Sequence, residues 1–455
     1  MQKKTARHSG NVLNPDTTLR MKNLTAFFVP LGISALLVTV SHVIINGTLA
    51  RATIQQELVI SAYAIAMSVF GLFEHPLTLL RQTCSALVRD RRSFYSLFVV
   101  CFYLIVVLLG ISVLIAFTPL GNWFFAIVFG AEGMLTEEII HSFRVLIVVC
   151  LFSALRCMYQ GIIIYQLRTK WLTIGMIIRL AAMYIVSLIL IHHPERINAA
   201  TAALIFLVGM VVEAAVSFLE GRQLLKNMPK VIEPNEYHQK RAIFRFYRPM
   251  LLSALISVAL GPAINAGLGK TTSVELAIAS YAVANSLVFM FVSFNTYMHQ
   301  IVLNFYNRDR KLVFQFSCLF GLLPVFFLIL LAFTPVGDLF LERIMGISGE
   351  LLSATKATLQ VFLPYVIVFT WVDYCNGLLM LNNQTRVMLW SQGTNIAVTV
   401  ILLIALVALT PGWNGVIGGL AQSLGLVAEL AVLVYVLRQM QRHDGNVRPN
   451  VTSGV

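Results

Sequence analysis

The hexapeptide AlaPheThrProLeuGly at residues 116–121 returns as AlaPheThrProValGly at residues 332–337. The same offset of 216 positions joins further identical residues in the two halves of the chain. These pairs are Gly130 with Gly346, Gly133 with Gly349, Gly161 with Gly377, Glu213 with Glu429 and Arg222 with Arg438. Self-similarity at a fixed offset is the sequence signature of a repeated structural unit. The chain is therefore an internal duplication.

Near the start of each half the offset is 219 or 218. Asn46 matches Asn265, Tyr63 matches Tyr281, and ArgAspArg at 89–91 matches ArgAspArg at 308–310. The matched pairs keep their order along the sequence, so the duplication covers nearly the whole chain.

Composition places this duplication in a membrane. Of 455 residues, 58% are hydrophobic and 12% are charged, whereas about a quarter of a soluble domain is charged. A bilayer core about 30 Å thick needs about 20 apolar residues per helix. Twelve apolar segments satisfy this, at about 24–45, 58–86, 94–117, 138–166, 171–191, 198–219, 247–268, 276–304, 312–333, 355–382, 387–409 and 414–437. We expect an all-α polytopic membrane protein with twelve transmembrane helices in two parallel six-helix repeats.

The domain organisation follows from these segments. We expect a cytoplasmic N-terminal segment (1–23), an N-lobe (24–220), a cytoplasmic linker (221–246), a C-lobe (247–438) and a cytoplasmic tail (439–455). The termini and even-numbered loops carry 24 Lys and Arg, and the odd-numbered loops carry 5. This bias is the positive-inside pattern. It places both termini in the cytoplasm, with a bacterial cell membrane as the expected location, and it explains the net charge of +13 without nucleic acid.

The repeat also indicates a function. Two halves with an even number of spans enter the membrane from the same side, and the cleft between such halves holds the substrate site of many transporters. We therefore expect an alternating-access transporter. ATP-binding and zinc-protease motifs are missing from the sequence, and its six cysteines lie singly in apolar runs. We expect no enzyme activity, cofactor or metal, and transport driven by a gradient. A channel, a membrane scaffold and a polytopic enzyme are the alternatives.

Polar residues in the second span mark one helical face. Tyr63, Glu74 and Arg81 are spaced so that they align on it, and Pro76 permits a bend. We expect this stripe to line the cleft, with Glu74 as a coupling acid. The alternative is that Glu74 and Arg81 snorkel or pair with neighbouring helices.

The eighth span carries an equivalent stripe of Asn285, Thr296 and His299, in which His299 matches Arg81 at an offset of 218. Arg offers a permanently charged fork to phosphate or carboxylate, and His changes its charge near neutral pH. Basic groups on both sides of the pseudo-axis would suit an anionic substrate. A simple packing role is the alternative for His299.

Further ionisable residues lie in other spans. Arg156 and Arg179 add positive charge to the first half and are candidate anion contacts, with intramembrane pairing to an acid as the alternative. Asp373 in the tenth span is a second candidate coupling acid. Glu213 and Glu429 occupy equivalent positions beside small residues, and we expect them to form structural hydrogen bonds.

Local motifs resemble a known family. PheValProLeuGlyIle at 28–33 with Asn46, Pro249 with Asn265, and SerAlaTyrAla at 61–64 followed by Pro76 resemble the progressive ankylosis (ANK) proteins. The 6+6 plan is similar to the wider MATE and polysaccharide-flippase (MOP) superfamily. The resemblance implies an exporter with two rocking lobes that carries small anions. Where ANK proteins have acids in the first span, this chain has Thr39 and His42.

The sequence therefore predicts a MATE-like exporter of small organic anions or related amphiphiles, with Asn46, Asn265 and Pro76 as candidate gate residues. The alternatives are a lipid-linked saccharide flippase and a cation-coupled multidrug antiporter. The expected partners are a small-molecule or lipid-linked substrate and membrane lipids, and the expected state is a monomer.

Overall fold

The computed structural model describes residues 19–446, except for residues 54, 167, 169, 234, 235 and 383. Nearly all of the predicted N-terminal segment and the end of the predicted tail lie outside these residues. The N-terminal half contains α1 (Met21–Leu49), α2 (Gln56–Leu87), α3 (Arg91–Phe117), α4 (Pro119–Phe129), α5 (Met134–Tyr165), α6 (Lys170–Ile191) and α7 (Ala199–Asn227).

The C-terminal half contains α8 (Lys240–Val258), α9 (Leu260–Leu268), α10 (Val274–Ser293), α11 (Met298–Phe305), α12 (Arg310–Phe333), α13 (Pro335–Leu339), α14 (Gly349–Val361), α15 (Leu363–Leu381), α16 (Thr385–Leu409) and α17 (Gly415–Asn446). The described residues contain no strand. The predicted all-α class is confirmed.

Eleven helical stretches within the described residues are long and apolar enough to cross a membrane, and α10 and α11 together form one of them. The remaining predicted span is divided into α8 and α9. Pro262 lies near this break and has no N–H to bond the carbonyl four residues earlier. With α8 and α9 as one broken span, each half supplies six, as the sequence predicts for an integral membrane protein.

The helices form two lobes. In the N-lobe (α1–α7), α5 packs between α2 and α7, and α6 packs on α7 and α1. In the C-lobe (α8–α17), α17 packs on α14, α15 and α16, and α10 packs on α14. We call the end of the bundle where α1 begins the terminal face, and the opposite end the distal face. The domain boundaries given above stay predictions, and α7 extends to Asn227.

The repeated hexapeptide builds an equivalent corner at the distal end of each lobe. Thr118 and Thr334 each accept a hydrogen bond from a backbone N–H two residues later, at 3.3 Å, while proline occupies the first helical position. A side chain at Gly121 or Gly337 would overlap a carbonyl of the preceding helix. The motif therefore turns the chain sharply from the third span of each lobe into a short helix along the distal face.

The repeated ArgAspArg motif works at the terminal face. Asp90 and Asp309 cap α3 and α12 by accepting backbone N–H groups at 2.7 and 2.9 Å. Asp90 also accepts hydrogen bonds from Ile232 N–H at 3.0 Å and from the His238 ring at 2.8 Å. Burial opposes ionisation of Asp90, but these hydrogen bonds outweigh it and hold its pKa well below the usual range. This carboxylate thus fastens the interlobe linker to the N-lobe.

Candidate functional site

Two asparagines join the lobes near the distal face. Asn46 in α1 points its Nδ2 at the carbonyl oxygen of Ala282 in the C-lobe, at 3.5 Å. Asn265 in α9 donates from Nδ2 to the carbonyl oxygen of Ala64 in the N-lobe, at 3.3 Å. The two donors are repeat equivalents at an offset of 219, and the two acceptors are repeat equivalents at an offset of 218. The two predicted gate asparagines therefore make reciprocal contacts about a pseudo-twofold axis.

A pair of basic residues repeats this reciprocity at the distal face itself. The Arg51 guanidinium donates to the carbonyl oxygens of Arg343 and Met345, each at 3.2 Å. Lys270 Nζ donates to the carbonyl oxygen of Ile127 at 2.7 Å. Lys270 is the repeat equivalent of Arg51, and Ile127 is that of Arg343. Each cation thus holds the C-terminal carbonyls of the short distal segment of the other lobe, where the helix dipole favours positive charge.

We call Asn46, Asn265, Arg51 and Lys270 the distal latch. Glycine permits its close packing: Gly130 and Gly346 end the two short distal segments with φ of 65° and 78°. A Cβ at Gly130 would overlap the carbonyl oxygen of Gly269 in the opposite lobe. These contacts close the space between the lobes at the distal face.

The interface is also reciprocal toward the terminal face. Phe28 in α1 is fully buried in the C-lobe, with its ring centroid 5.6 Å from that of Phe294. Its repeat equivalent Tyr247 in α8 donates its hydroxyl to the carbonyl oxygen of Pro76 at 2.6 Å. Pro76 is in turn the equivalent of Phe294. The first helix of each lobe therefore leans on the second helix of the other, and the predicted gate residue Pro76 lies at this contact.

Inside the N-lobe, four charges form a buried network. Arg156 Nη1 and Arg179 Nη1 each lie 2.9 Å from Glu213 Oε2. Arg156 Nη2 lies 3.5 Å from Glu74 Oε1. Gln160 donates to the second carboxylate oxygen of Glu213 at 3.0 Å. Three predicted site residues, Glu74, Arg156 and Arg179, are thereby brought together, in the pairing that the sequence left open as an alternative.

Arg81 differs from these arginines. Its Nη1 is 3.4 Å from Gln160 Oε1, at the edge of the network, and within the described part of the chain it forms no salt bridge. Tyr63 is buried, with its hydroxyl 3.8 Å from Met67 Sδ. The stripe predicted on α2 thus faces α5 and the N-lobe interior, and Arg81 is its half-buried member near the terminal face.

His42, which stands where the resembled family has acids, joins the edge of the same region. Its ring stacks on Phe206 at a centroid distance of 6.1 Å. The Arg179 guanidinium lies over the same ring, 5.2 Å from its centroid. The negative face of an aromatic ring attracts a nearby cation. Phe206 thus links the first span to the charge network.

Glu429, the C-lobe equivalent of Glu213, lies in a different environment. Glu429 accepts a hydrogen bond from Asn395 at 2.8 Å. Asn395 is the repeat equivalent of Arg179, and Val372 is that of Arg156. The two arginines that neutralise Glu213 therefore correspond to an amide and an alkyl group. The prediction of structural hydrogen bonds for both glutamates is consistent with these partners.

Smaller side chains leave space beside Glu429. A cavity of about 280 Å³ opens there between α9, α15, α16 and α17. Its lining includes Phe369, Asp373, Asn376, Gln392, Asn395 and Glu429. Two carboxylates and three amides with no Lys or Arg in this lining make a polar, acidic cavity. This lining suits a positive charge.

His299 and Asp373 pair at the edge of this cavity. His299 Nδ1 lies 3.0 Å from both Asp373 carboxylate oxygens, and its backbone N–H donates to Oδ2 at 2.8 Å. Asn285 places its Oδ1 in a buried position without a hydrogen-bond partner among the described residues. Thr296 is exposed. The structure joins His299 to Asp373, whereas Arg81 belongs to the N-lobe network.

A second cavity, of about 670 Å³, lies at the distal face between the lobes. Glutamates from both lobes line it, namely Glu57, Glu132, Glu275 and Glu350. Glu57 and Glu275 are repeat equivalents at the first turns of α2 and α10. The distal cavity is therefore acidic.

Arg51 and Lys270 are absent from the sequence-predicted site, although the sequence contains their signal. They are repeat equivalents, and they lie in odd-numbered loops, which hold few basic residues. A cation on the side that the positive-inside pattern depletes needs a local reason. Here the reason is the set of carbonyl groups on the opposite lobe.

Comparison with known proteins agrees with this architecture. The structure is similar to a multidrug resistance MATE family transporter of the MOP superfamily in an inward-facing conformation, with a TM-score of 0.70 and 15% sequence identity over 91% of this chain and 98% of the other. It is similar to the lipid II flippase MurJ in an inward closed conformation, with a TM-score of 0.67 and 12% identity over 92% and 87%.

A third similar structure is a MOP superfamily transporter from Pyrococcus furiosus described as having a reverse polarity of its binding pocket, with a TM-score of 0.58 and 15% identity over 93% and 98%. No protein-family model and no curated sequence matches the chain. At these identities the likeness establishes the fold: this chain has the fold of the MATE and MOP superfamily transporters. The predicted MATE-like fold is confirmed, and the resemblance to the ANK branch stays a prediction.

Proposed function

We propose that this protein is an alternating-access exporter. The observation that carries the proposal is the distal latch, in which equivalent residues of the two lobes exchange equivalent hydrogen bonds. The lobes also touch through α1, α2, α8 and α10, where the first helix of each lobe lies against the second helix of the other. Two packed lobes related by such a symmetric interface can rock against one another as units. Breaking the latch would open the distal face while the terminal contacts tighten.

The proposed orientation places the terminal face in the cytoplasm, because 24 Lys and Arg lie in the termini and even-numbered loops. The four glutamates of the distal cavity would repel an anion that approaches from outside and so oppose its re-entry. Reporter fusions test the orientation: one after residue 445 should read cytoplasmic, and one near residue 133 should read external.

The proposed substrate is a small organic anion or a related amphiphile. The N-lobe interior contains Arg81, Arg156 and Arg179 against Glu74 and Glu213, which leaves one positive charge uncompensated. Arg81 is the arginine without a carboxylate partner in the described residues. A buried excess charge is costly unless a counter-charge approaches it. We therefore assign the main anion contact to Arg81, with His299 approaching from the opposite lobe, as the sequence pattern proposes.

The proposed coupling site is in the C-lobe. Asp373 and Glu429 share one cavity, and an acidic cavity in the membrane interior attracts a proton or a small cation. A gradient of that ion would then drive the lobes between their two states. Glu74, the other predicted coupling acid, accepts from Ser153 at 2.6 Å and lies near Arg156, so we give the coupling role to Asp373.

A cation-coupled drug antiporter is the second candidate. The same C-lobe cavity favours it, because two carboxylates without Lys or Arg in the lining would also receive a cationic amine. A transporter of the ANK type is a more specific version of the first candidate, the anion exporter. It is supported by PheValProLeuGlyIle at 28–33 and by the matched Asn46 and Asn265.

Mass spectrometry of exported compounds separates these functions. Cells that produce the protein, cells that lack it and cells that produce Arg81→Gln are compared for released metabolites, accumulated cationic dyes and lipid-linked saccharides. The main proposal predicts organic anions in the medium of the first cells alone. Cationic compounds on that list support the antiporter, flipped lipid-linked saccharides support a flippase, and three identical lists contradict transport.

A further inference from the structure

The first turns of α8 carry a concentrated positive surface at the terminal face. The exposed residues are Lys240, Arg241, Phe244, Arg245, Phe246 and Arg248. Ile243 and Tyr247 are each 1% exposed and anchor this stretch to the protein. Successive residues of an α-helix are rotated by about 100°, so the four cations fall within an arc of about 140° that also contains Phe244. We call Lys240, Arg241, Arg245 and Arg248 the α8 cationic face.

Among the described residues, no acidic side chain neutralises the charges of this face. Within the described residues, none of the four cations forms a salt bridge. The acid described in the adjoining linker, Glu233, lies 3.9 Å from Arg92 of the N-lobe. The α8 cationic face is therefore available to an external anion.

The repeat shows that the charge is specific to this helix. At the offset of 219, the four cations correspond to Met21, Lys22, Ala26 and Val29 at the start of α1. A general excess of positive charge at the terminal face would affect both first helices. The C-lobe helix carries four cations where its equivalent carries one, so the positive-inside pattern alone does not account for them.

The surrounding apolar surface indicates what the anion is. Phe244 is 52% exposed and Phe246 is 38% exposed, so this end of the span presents apolar rings as well as cations, the combination found in helices that lie at a membrane interface. Nine residues of helix rise about 12 Å, which matches the headgroup and interfacial layer. Basic residues at that depth are attracted to anionic lipid at about 1 kcal/mol each.

We propose that the α8 cationic face binds the phosphate headgroups of anionic phospholipids in the leaflet at the terminal face. The neighbouring buried Tyr247 donates to the Pro76 carbonyl across the lobe interface. A headgroup bound to the same two turns of α8 would hold α8 in contact with α2. Anionic lipid would thereby stabilise the arrangement of the lobes seen in this structure. The inference needs an integral membrane protein and does not depend on the transported substrate.

Lipid binding to the purified full chain tests this inference. The protein is placed in phosphatidylcholine nanodiscs with increasing amounts of phosphatidylglycerol, and the retained lipid is counted by native mass spectrometry alongside the thermal unfolding midpoint. The wild-type chain should retain phosphatidylglycerol and unfold at a higher temperature. The variant K240Q/R241Q/R245Q/R248Q should bind it more than about tenfold more weakly and lose most of the shift.

A matched control removes three other cations from the same face. The variant R308Q/R310Q/K311Q should keep the lipid-dependent shift, because these exposed residues lie at the start of α12. Inorganic phosphate added to phosphatidylcholine nanodiscs should produce no shift. If the quadruple variant fails to fold, the double variant R241Q/R245Q replaces it, with a partial loss expected. Full retention of lipid in the α8 variant, equal loss in the control, or an equal effect of free phosphate would overturn the inference.

Discussion

Arg51 and Lys270 are related by the internal repeat, and each places its positive charge on backbone carbonyls of the short distal segment of the opposite lobe. Arg51 reaches the carbonyl oxygens of Arg343 and Met345, and Lys270 reaches that of Ile127. A single ancestral contact, duplicated with the gene, would account for this symmetry. Two copies of this contact now close the distal face.

Removing both latch cations should open the distal face. A hydrogen bond to a charged group contributes about 1.5–3 kcal/mol, so R51Q/K270Q should raise the distal-open population at least about tenfold. The measurement is maleimide labelling of Ala64→Cys in a chain with its six native cysteines replaced. Arg343→Gln is the matched control, because its side chain is exposed and only its carbonyl takes part. Unchanged labelling in the double variant would show that the cations do not hold the gate.

The two equivalent glutamates should respond differently to substitution. Glu213→Gln leaves Arg156 and Arg179 without their carboxylate, and breaking a buried pair from one side costs about 3–5 kcal/mol. Glu429→Gln keeps a hydrogen-bonding group beside Asn395 and should leave the unfolding midpoint nearly unchanged. Thermal unfolding of a fluorescent fusion measures both. Arg168→Gln is the control, since the Arg168 side chain is 60% exposed in its pair with Glu220 and such pairs contribute about 0–1 kcal/mol. Equal stability of the two glutamate variants would contradict the charge asymmetry of the lobes.

The Asp90 carboxylate should make stability depend on acid. Its folded pKa lies below the unfolded value because Ser93, His238 and Ile232 donate to the ionised form against the opposing effect of burial. Its contribution is therefore complete above the unfolded pKa of about 4 and is lost as pH falls through the folded pKa. Unfolding midpoints of the wild-type chain and Asp90→Asn should differ above about pH 5 and begin to converge below about pH 4. A constant difference down to the lowest pH would refute this assignment.

Arg81 substitutions test the sign of the transported charge. Arg81→Gln should remove most transport of an organic anion, because the amide keeps hydrogen bonds and loses the charge. Arg81→Lys should keep part of it, since the charge remains without the planar fork. Arg144→Gln is the control, because Arg144 donates to the Ala116 carbonyl at 3.0 Å, away from this network. Uptake into vesicles, normalised to protein amount, is the measurement. Normal transport per molecule in both Arg81 variants would make Arg81 structural.

His299→Gln should have a smaller effect, concentrated at acidic pH. Protonated imidazole adds positive charge opposite Arg81, and glutamine cannot take up that proton. The pH profile of anion transport in vesicles should therefore flatten on its acidic side. A uniform loss at every pH would instead indicate that His299 positions Asp373 through the hydrogen bonds seen between them.

Most of the fold could be predicted because two strong signals agree. The repeated hexapeptide gives the duplication, and the apolar segments give the spans. The break between α8 and α9 was harder to predict, because that segment is largely apolar and Gly261 and Pro262 are the nearest marks of the interruption. Asn46 and Asn265 could be singled out because they are a matched pair in the repeat, and their role as gate residues stays a prediction.

The interior of each lobe could not be predicted to the same degree. The sequence shows that Arg156, Arg179 and Glu213 lie in membrane spans, but the rotation of three helices decides whether the arginines meet that glutamate or face the cleft. The link between Asp373 and His299 likewise depends on how α11 packs against α15. Arg51 was missed because a single loop cation looks like an ordinary surface charge until its partner carbonyls are known.

Distances between spin labels on the two faces test alternating access most directly. One pair, at the exposed distal positions Glu132 and Thr272, spans the lobes at the latch. The other pair, at the exposed terminal positions Arg222 and Asn304, spans them at the opposite end. In lipid nanodiscs, R51Q/K270Q should lengthen the distal distance and shorten the terminal one, relative to the chain with its latch intact. If both distances stay fixed, or both lengthen together, the lobes do not rock about a central site and the account is wrong.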